Sequence, residues 1–221
     1  MSRLAGLALL LALAGCSGTE PADPVPAAEP AAREPAPEVA RGPERLEPDA
    51  LGAEPLADLP LRLADGRASS LGAALGDARA LVIAYTSLRC PVTRLYAPGW
   101  GPLGAELAER EVALLLVDPM QVDDDPDVLA AAEEHGWTAP VARDPEGALT
   151  EALDARRTAD VFLLDRELRV RYRGAKDDQY GIGYRLAAPR ERYLADALDA
   201  LLAGEPIAVP ATEAPGCKLN R

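Results

Sequence analysis

The chain has 221 residues and carries 36 Asp and Glu side chains against 23 Lys and Arg side chains, which gives a net charge of -13. Phosphate binding needs a basic stripe, and the sequence contains none, so nucleic acid is excluded as a partner. The part from residue 53 onward is long enough for one domain with its own core. The sequence therefore indicates a single acidic domain that follows segments of different composition.

The first 16 residues have the pattern of a secretion signal. Arg3 provides a positive start, residues 4–13 are apolar or small, and Cys16 closes a Leu-Ala-Gly-Cys sequence. The apolar stretch is too short to span a bilayer. The Leu-Ala-Gly-Cys sequence resembles the lipobox of bacterial lipoproteins, which implies that residues 1–15 are a signal peptide and that Cys16 carries membrane-binding acyl chains. The alternative is a soluble secreted protein with Cys16 there by chance.

Residues 16–52 are predicted to be a lipid anchor and tether. After Cys16 the composition is dominated by Pro, Ala and Glu, which cannot bury enough apolar surface to offset the entropy of ordering. Lipoproteins retained at the inner membrane carry an acidic residue directly after the acylated Cys. In this sequence the residue after Cys16 is Ser17, which is not acidic. The resemblance therefore predicts a location in the cell envelope, facing the periplasm, with the inner leaflet of the outer membrane favoured.

The predicted elements of the domain, residues 53–204, alternate between strands and helices. An Asp65-Gly66 turn indicates a hairpin that begins with residues 59–63. Further strands are predicted at 80–85, 112–117, 161–165 and 168–172, and helices at 92–110, 127–135 and 190–202, with a kink or break at Pro98 and Gly99. This order predicts an α/β domain with a mixed central sheet flanked by helices in three layers.

Cys90 lies where the strand 80–85 gives way to the helix 92–110. A thiol at the first turn of a helix faces unpaired backbone N–H groups and the positive end of the helix dipole, which favour the thiolate. Arg89 and Arg94 would add to this effect. The position predicts a nucleophilic Cys90 with a lowered pKa. The alternatives are an inert buried cysteine and one half of a structural disulfide.

Several motifs of the domain belong together: the Asp65-Gly66 hairpin, the strand and loop at 85–91, the Phe-Leu-Leu-Asp strand at 162–165, and Arg173-Gly174. Together they resemble the thioredoxin-fold redoxins, most closely the peroxiredoxin-like branch, from residue 53 to about residue 202. The resemblance implies a thioredoxin-like fold and a thiol-dependent antioxidant or disulfide oxidoreductase activity. It implies no cofactor and no metal.

The sequence departs from the family pattern at three positions. Thr93 stands where thioredoxin-like reductases have their second Cys, so local dithiol exchange is excluded. In peroxiredoxins a Pro and then a Thr or Ser precede the reactive Cys. Here Ser87 matches the Thr or Ser, whereas Ile83 replaces the Pro. Ala159 replaces the residue that is an Arg in peroxiredoxins and a cis-Pro in thioredoxins. We therefore expect slow reaction with peroxide.

Cys217 lies in the Pro-rich C-terminal tail, residues 205–221, which is long enough to reach back across a small domain. In a redoxin such a position implies a resolving thiol that completes the cycle of Cys90. The predicted site thus consists of Cys90 as nucleophile, Ser87 and the helix N-terminus as its stabilisers, and Cys217 as resolving partner. A free tail thiol and a disulfide to another molecule stay open as alternatives.

The sequence supports two functions of different classes. The first is a membrane-anchored, extracytoplasmic thiol-disulfide oxidoreductase or peroxiredoxin-like redoxin that acts on a thiol or disulfide protein or on peroxide. The second is a non-catalytic binding module of the same fold, in one version binding a cuprous ion through Cys90 and Cys217, with His135, the only histidine, as an optional third ligand. The pattern of known copper-delivery proteins is not matched, because no second Cys follows Cys90 closely.

Two acidic groups are predicted to be exposed. The four aspartates at 123–127 lack the spacing of a calcium loop and indicate a solvated acidic loop. Asp177 and Asp178 follow the last strand pair and indicate an exposed turn or the rim of a site.

Overall fold

The computed structural model describes residues 43–46, 51 and 54–219. The predicted signal peptide, the predicted lipidation residue Cys16 and most of the predicted tether lie outside the described residues. In the part of the chain that is described, no helix is both long enough and apolar enough to cross a bilayer.

Within these residues the chain forms nine strands and five helices. The strands are β1 (Pro60–Leu63), β2 (Ala68–Ser70), β3 (Ala80–Tyr85), β4 (Val112–Asp118), β5 (Val141–Arg143), β6 (Val161–Leu164), β7 (Val170–Gly174), β8 (Tyr180–Gly181) and β9 (Tyr184–Arg185). The helices are α1 (Leu71–Leu75), α2 (Pro91–Glu109), α3 (Asp125–Glu134), α4 (Ala148–Ala152) and α5 (Tyr193–Ala203).

Strands β1 to β7 form one mixed sheet in the order β2-β1-β5-β4-β3-β6-β7. β3 is parallel to β4 and β4 to β5, and the other neighbours are antiparallel. All six residues of β3 are buried, because alternate side chains enter a core on each face of the sheet. One core includes residues of α2, α3 and α5, and the other includes residues of α1 and α4. The three predicted layers are therefore confirmed.

The hairpin at Asp65-Gly66 and the long elements lie where the sequence predicts them, whereas the short ones were not predicted. Strand β5, helices α1 and α4 and the β8–β9 hairpin have two to five residues each, too few for a periodic pattern. Helix α2 continues through Pro98 and Pro102 without a break. The buried side chains of Tyr96, Ala97 and Trp100 hold this part of the helix against the core.

The residues of the predicted C-terminal tail pack along the free edge of β7. The backbone N–H of Arg173 donates to the carbonyl of Pro210 at 3.1 Å, and the N–H of Thr212 donates to the carbonyl of Arg173 at 3.0 Å. Gly174 has a φ of 134°, and a Cβ at this position would collide with Thr212. Glycine is therefore required for the close approach of β7 and the tail.

Candidate active site

Cys90 is the N-cap residue of α2, and Pro91 is the first residue of the helix. Proline is well suited to this position, because its missing N–H would have no partner within the helix. The loop 86–89 connects the buried strand β3 to Cys90. The Cys90 side chain is only 2% exposed and belongs to the core cluster between the sheet and α2. The predicted placement of Cys90 at the junction of a strand and a helix is confirmed.

Opposing effects act on the thiol of Cys90. Burial raises its pKa. Hydrogen bonds lower it, and they come from the Thr158 side chain, from the backbone of Thr93 and from both the side chain and the backbone of Cys217. The resulting pKa is about 7. A thiol with this pKa is substantially ionised near neutral pH. The predicted lowering of the pKa is therefore found, but with donors other than the arginines that the sequence suggested.

Thr158 lies between the two cysteines. Its side chain is 1% exposed, and its Oγ1 accepts a hydrogen bond of 3.0 Å from the backbone N–H of Cys217. The N–H of Thr158 in turn donates to the carbonyl of Cys217 at 2.9 Å. A hydroxyl has a single proton, so an Oγ1 that accepts from Cys217 keeps that proton for the sulfur of Cys90. Sequence reasoning missed Thr158, although it directly precedes Ala159, the position at which both related families have a functional residue.

Cys217, in the C-terminal tail, lies next to Cys90. Both residues are free thiols, and their side chains are hydrogen-bonded to each other. The hydrogen bond to Cys90 is the main cause that raises the pKa of Cys217, burial and the charge of Cys90 act in the same direction, and Arg157 opposes them. Cys217 is exposed whereas Cys90 is buried. The pair thus consists of a covered thiol of low pKa and an accessible thiol of high pKa.

The backbone of the tail fixes this contact by pairing with the loop that precedes β6. Arg157 and Lys218 form an antiparallel bridge, and the N–H of Leu219 donates to the carbonyl of Arg156 at 2.9 Å. Gly216 lies against Thr158 and has a φ of 105°, which disfavours any residue with a Cβ. Residues 217–219 therefore form a short ladder with residues 156–158 beside Cys90, and Gly216 packs against its start.

Ser87 lies three residues before Cys90, as predicted, but its hydroxyl has other partners. Its Oγ donates to Oδ2 of Asp123 at 3.3 Å and accepts from the N–H of Arg89 at 3.2 Å. The carbonyl oxygens of Ser87 and Cys90 both accept from the hydroxyl of Thr93, at 2.7 and 3.0 Å. Ser87 thus shapes the loop before Cys90, and its role as a thiolate stabiliser stays a prediction.

The prediction of a solvated acidic loop is wrong for Asp123, which is 2% exposed. Its carboxylate accepts from the backbone N–H of Leu88 at 3.1 Å and from Nε of Arg89 at 3.0 Å. A buried carboxylate needs such donors. The predicted arginine effect on Cys90 is reduced accordingly, because Arg89 is paired with Asp123 and Arg94 is exposed.

Asp177 and Asp178 are also buried, so the prediction of an exposed turn is wrong for both. Asp177 accepts from the hydroxyl of Tyr96 at 2.8 Å and from Nζ of Lys176 at 2.6 Å. Asp178 accepts from the backbone and the side chain of Arg190. The two carboxylates join α2 and the segment before α5 to the loop that leads into β8.

His135 is the C-cap residue of α3, and its ring packs against Trp137 with the ring centroids 5.8 Å apart. Among the residues that the structure describes, no group of three His, Cys, Asp or Glu side chains is arranged to bind a metal ion. The structure therefore does not bring His135 into one group with Cys90 and Cys217, so His135 is not a third ligand for the cuprous-ion alternative.

The comparisons with known proteins agree with this geometry. The profile of the Redoxin family matches residues 23–182, which is most of the chain. The chain belongs to the redoxin family. This match begins upstream of residue 53, where the sequence places the start of the domain. No curated protein matches the chain.

Solved structures show the same fold. A hypothetical protein from Sinorhizobium meliloti is 26% identical with a TM-score of 0.65, and the alignment covers 81% of this chain and 97% of that one. An uncharacterised protein from Geobacillus kaustophilus is 26% identical with a TM-score of 0.64, covering 77% and 94%. A yeast mitochondrial 1-Cys peroxiredoxin is 15% identical with a TM-score of 0.52, covering 69% and 76%, which shows the fold alone. The predicted thioredoxin-like fold and the predicted relation to the redoxins are confirmed.

Proposed function

We propose that the protein is a membrane-anchored, extracytoplasmic thiol-disulfide oxidoreductase in which Cys90 and Cys217 form the redox pair. The observation that carries this proposal is that two free thiols lie near enough to shift each other's pKa in opposite directions. One cysteine is suited to attack and to leave as a thiolate, and the other is suited to resolve an intermediate. Thr158 supports both roles by its hydrogen bonds to Cys90 and to the backbone of Cys217.

The reaction begins when the Cys90 thiolate attacks one sulfur of a substrate disulfide. The substrate S–S bond breaks, one substrate thiolate leaves and takes up a proton, and a mixed disulfide forms at Cys90. Cys217 then loses its proton and attacks the sulfur of Cys90, which releases the second substrate thiol and leaves a Cys90–Cys217 disulfide. Two substrate thiols are produced and the two cysteines are oxidised. The reverse direction oxidises a dithiol substrate, with Cys90 as the better leaving group because of its lower pKa.

Peroxide is a poorer substrate in this proposal. Ala159 provides no charge to bind the peroxide oxygens, and the nearby Arg157 is held by Glu213 at 2.6 Å. Without a fixed cation at the reacting oxygens, the developing charge has little stabilisation. We expect hydrogen peroxide to oxidise Cys90 to the sulfenic acid far more slowly than it oxidises a dedicated peroxidase. A stopped-flow rate in the range of such peroxidases would contradict the assignment to disulfide exchange.

The redox pair is tested by mass spectrometry of the full-length protein. After equilibration in an oxidising glutathione buffer, a non-reduced digest should contain a peptide in which Cys90 is cross-linked to Cys217. Cys217→Ser should abolish this peptide and leave Cys90 as a mixed disulfide with glutathione. The proposal fails if the wild-type protein under the same conditions carries glutathione at both cysteines and no internal cross-link.

The proposed anchor is supported by the Leu-Ala-Gly-Cys sequence that ends at Cys16. Acylation there would place the domain at the envelope, where disulfide-bearing proteins are the available substrates. We expect the protein expressed in a bacterium to incorporate labelled palmitate and Cys16→Ala to lose the label. A wild-type protein without label would contradict the anchor and leave the redox pair untouched.

A further inference from the structure

The segment Glu44–Leu46 pairs with the tail that carries Cys217. The N–H of Leu46 donates to the carbonyl of Ala211 at 2.9 Å, and the N–H of Glu213 donates to the carbonyl of Glu44 at 2.7 Å. These two bonds flank an antiparallel bridge between Arg45 and Thr212. The tail is thus held between β7 on one side and a segment from before the domain on the other.

Thr212 is the point at which these contacts converge. It is 2% exposed, its Oγ1 accepts from the N–H of Ala175 at 2.9 Å, and it lies 2.9 Å from the hydroxyl of Tyr172. Cys217 follows only five residues later in the chain. Because five extended residues span at most about 17 Å, a large displacement of Thr212 from β7 pulls on Cys217 and on its bonds to Thr158.

The surroundings of this segment favour local opening. A cavity of about 660 Å³ is lined by residues that include Leu46, Thr212 and Lys218, and a second of about 590 Å³ is lined by residues that include Glu44 and Gly216. Glu44, Arg45 and Glu213 are exposed. Segments with few buried apolar contacts open at lower free energy than the core does.

We propose that Glu44–Leu46 acts as a latch strand, which positions Cys217 at Cys90 and determines how often the tail uncovers the sulfur of Cys90. With the latch strand paired, Cys90 is 2% exposed and only the accessible Cys217 meets solvent. With the latch strand released, the tail keeps only its bonds to β7 and to residues 156–158, so it opens more often and a large substrate reaches Cys90 more often. The consequence for substrates rests on the redox function proposed above, whereas the opening itself does not.

The latch strand is tested by the alkylation of Cys90 in Leu46→Pro. Proline removes the N–H that donates to Ala211. The matched control is Leu56→Pro, because Leu56 is also half-buried and its N–H donates to the carbonyl of Leu168 at 3.0 Å, in another part of the domain. The reduced full-length proteins are treated with N-ethylmaleimide, and the modified Cys90 peptide is quantified over time by mass spectrometry.

We expect Leu46→Pro to increase the rate at Cys90 about fivefold to tenfold, the scale of one or two backbone hydrogen bonds. The rate at the exposed Cys217 should change less than twofold, and Leu56→Pro should leave the rate at Cys90 within twofold of the wild type. An unchanged rate in Leu46→Pro, or an equal increase in Leu56→Pro, overturns the proposal.

A urea titration shows whether Leu46→Pro is folded. If it folds poorly, a second variant, Thr212→Val, keeps the test decisive. Thr212→Val keeps the side-chain shape but removes the acceptor for Ala175, so the rate at Cys90 should rise here too. No rise in a folded Thr212→Val overturns the proposal. Since alkylation requires no disulfide, a failure of the redox pair and a failure of the latch strand are separate results.

Discussion

The two cysteines of the site are held by regions of very different construction. Cys90 belongs to a core cluster and follows a strand that is entirely buried, so its position is fixed by hydrophobic packing. Cys217 is exposed and is held by backbone hydrogen bonds to Thr158 and, further upstream, to β7 and the latch strand. One half of the pair is thus as stable as the domain, while the other half depends on contacts that open locally.

The largest expected effect concerns the stability of these two regions. Leu163 lies in β6, is fully buried and belongs to the same core cluster as Cys90. Leu163→Ala should lower the free energy of unfolding by about 2 to 5 kcal/mol, because it removes buried apolar groups and leaves a cavity.

The matched variant in the tail is Ile207→Ala, since Ile207 is only half-buried against the same cluster. Ile207→Ala should lower the free energy of unfolding by about half as much as Leu163→Ala or less, because part of the Ile207 side chain is already in water. Urea denaturation of both variants measures the difference. Equal losses would show that the tail is as much a part of the core as β6 is.

The same contrast explains how much could be predicted from the sequence. Strands β3 and β4 appear as continuous apolar runs, and the position of Cys90 follows from the change of pattern after β3. The tail has no such pattern, because backbone groups hold it and any sequence without a steric conflict could pair there. The docking of the tail is visible in the sequence only indirectly, through Gly174 and Gly216. Their positive φ angles accompany close approaches to Thr212 and Thr158.

The burial of Asp123, Asp177 and Asp178 could not be predicted for a related reason. Apart from Lys176, which donates to Asp177, their donors come from residues far away in sequence or from backbone groups, so no spacing signals them. In a chain with 36 acidic residues, an exposed position is the natural prediction for each carboxylate.

A smaller effect is expected from Thr158→Val, which tests the link between the two regions. Valine removes the hydroxyl that donates to Cys90, so the pKa of Cys90 should rise by about one pH unit, the scale of a hydrogen bond to a charged group. The rate of Cys90 alkylation is measured against pH. The midpoint reports the pKa, whereas the plateau reports access to the sulfur.

Thr158→Ser is the control, because serine keeps the hydroxyl and should keep the midpoint near the wild-type value of about 7. The stability of the two variants should also differ with pH. A thiol whose pKa is lowered in the folded state contributes stability above its unfolded pKa, and this contribution is lost as the pH falls through about 7. Thr158→Val should show less of this change. A midpoint unchanged in Thr158→Val would remove the hydroxyl from the explanation of the pKa.

The smallest effect is expected from Arg89→Gln, although Arg89 is the direct neighbour of Cys90 in the sequence. The Arg89 side chain is 65% exposed, and its Nε is engaged by the carboxylate of Asp123 at 3.0 Å. The charge of Arg89 is therefore compensated by Asp123 and screened by water, which leaves little field at the sulfur.

We expect the alkylation midpoint of Cys90 in Arg89→Gln to stay within about 0.3 pH units of the wild type, well below the change expected for Thr158→Val. Arg94→Gln serves as the matched control, since Arg94 is exposed on the first turns of α2. If Arg89→Gln instead raised the midpoint as far as Thr158→Val does, the thiolate would be stabilised by charge from its own strand-helix junction. The low pKa of Cys90 would then not depend on the docked tail, and the two regions would be less closely coupled than their hydrogen bonds indicate.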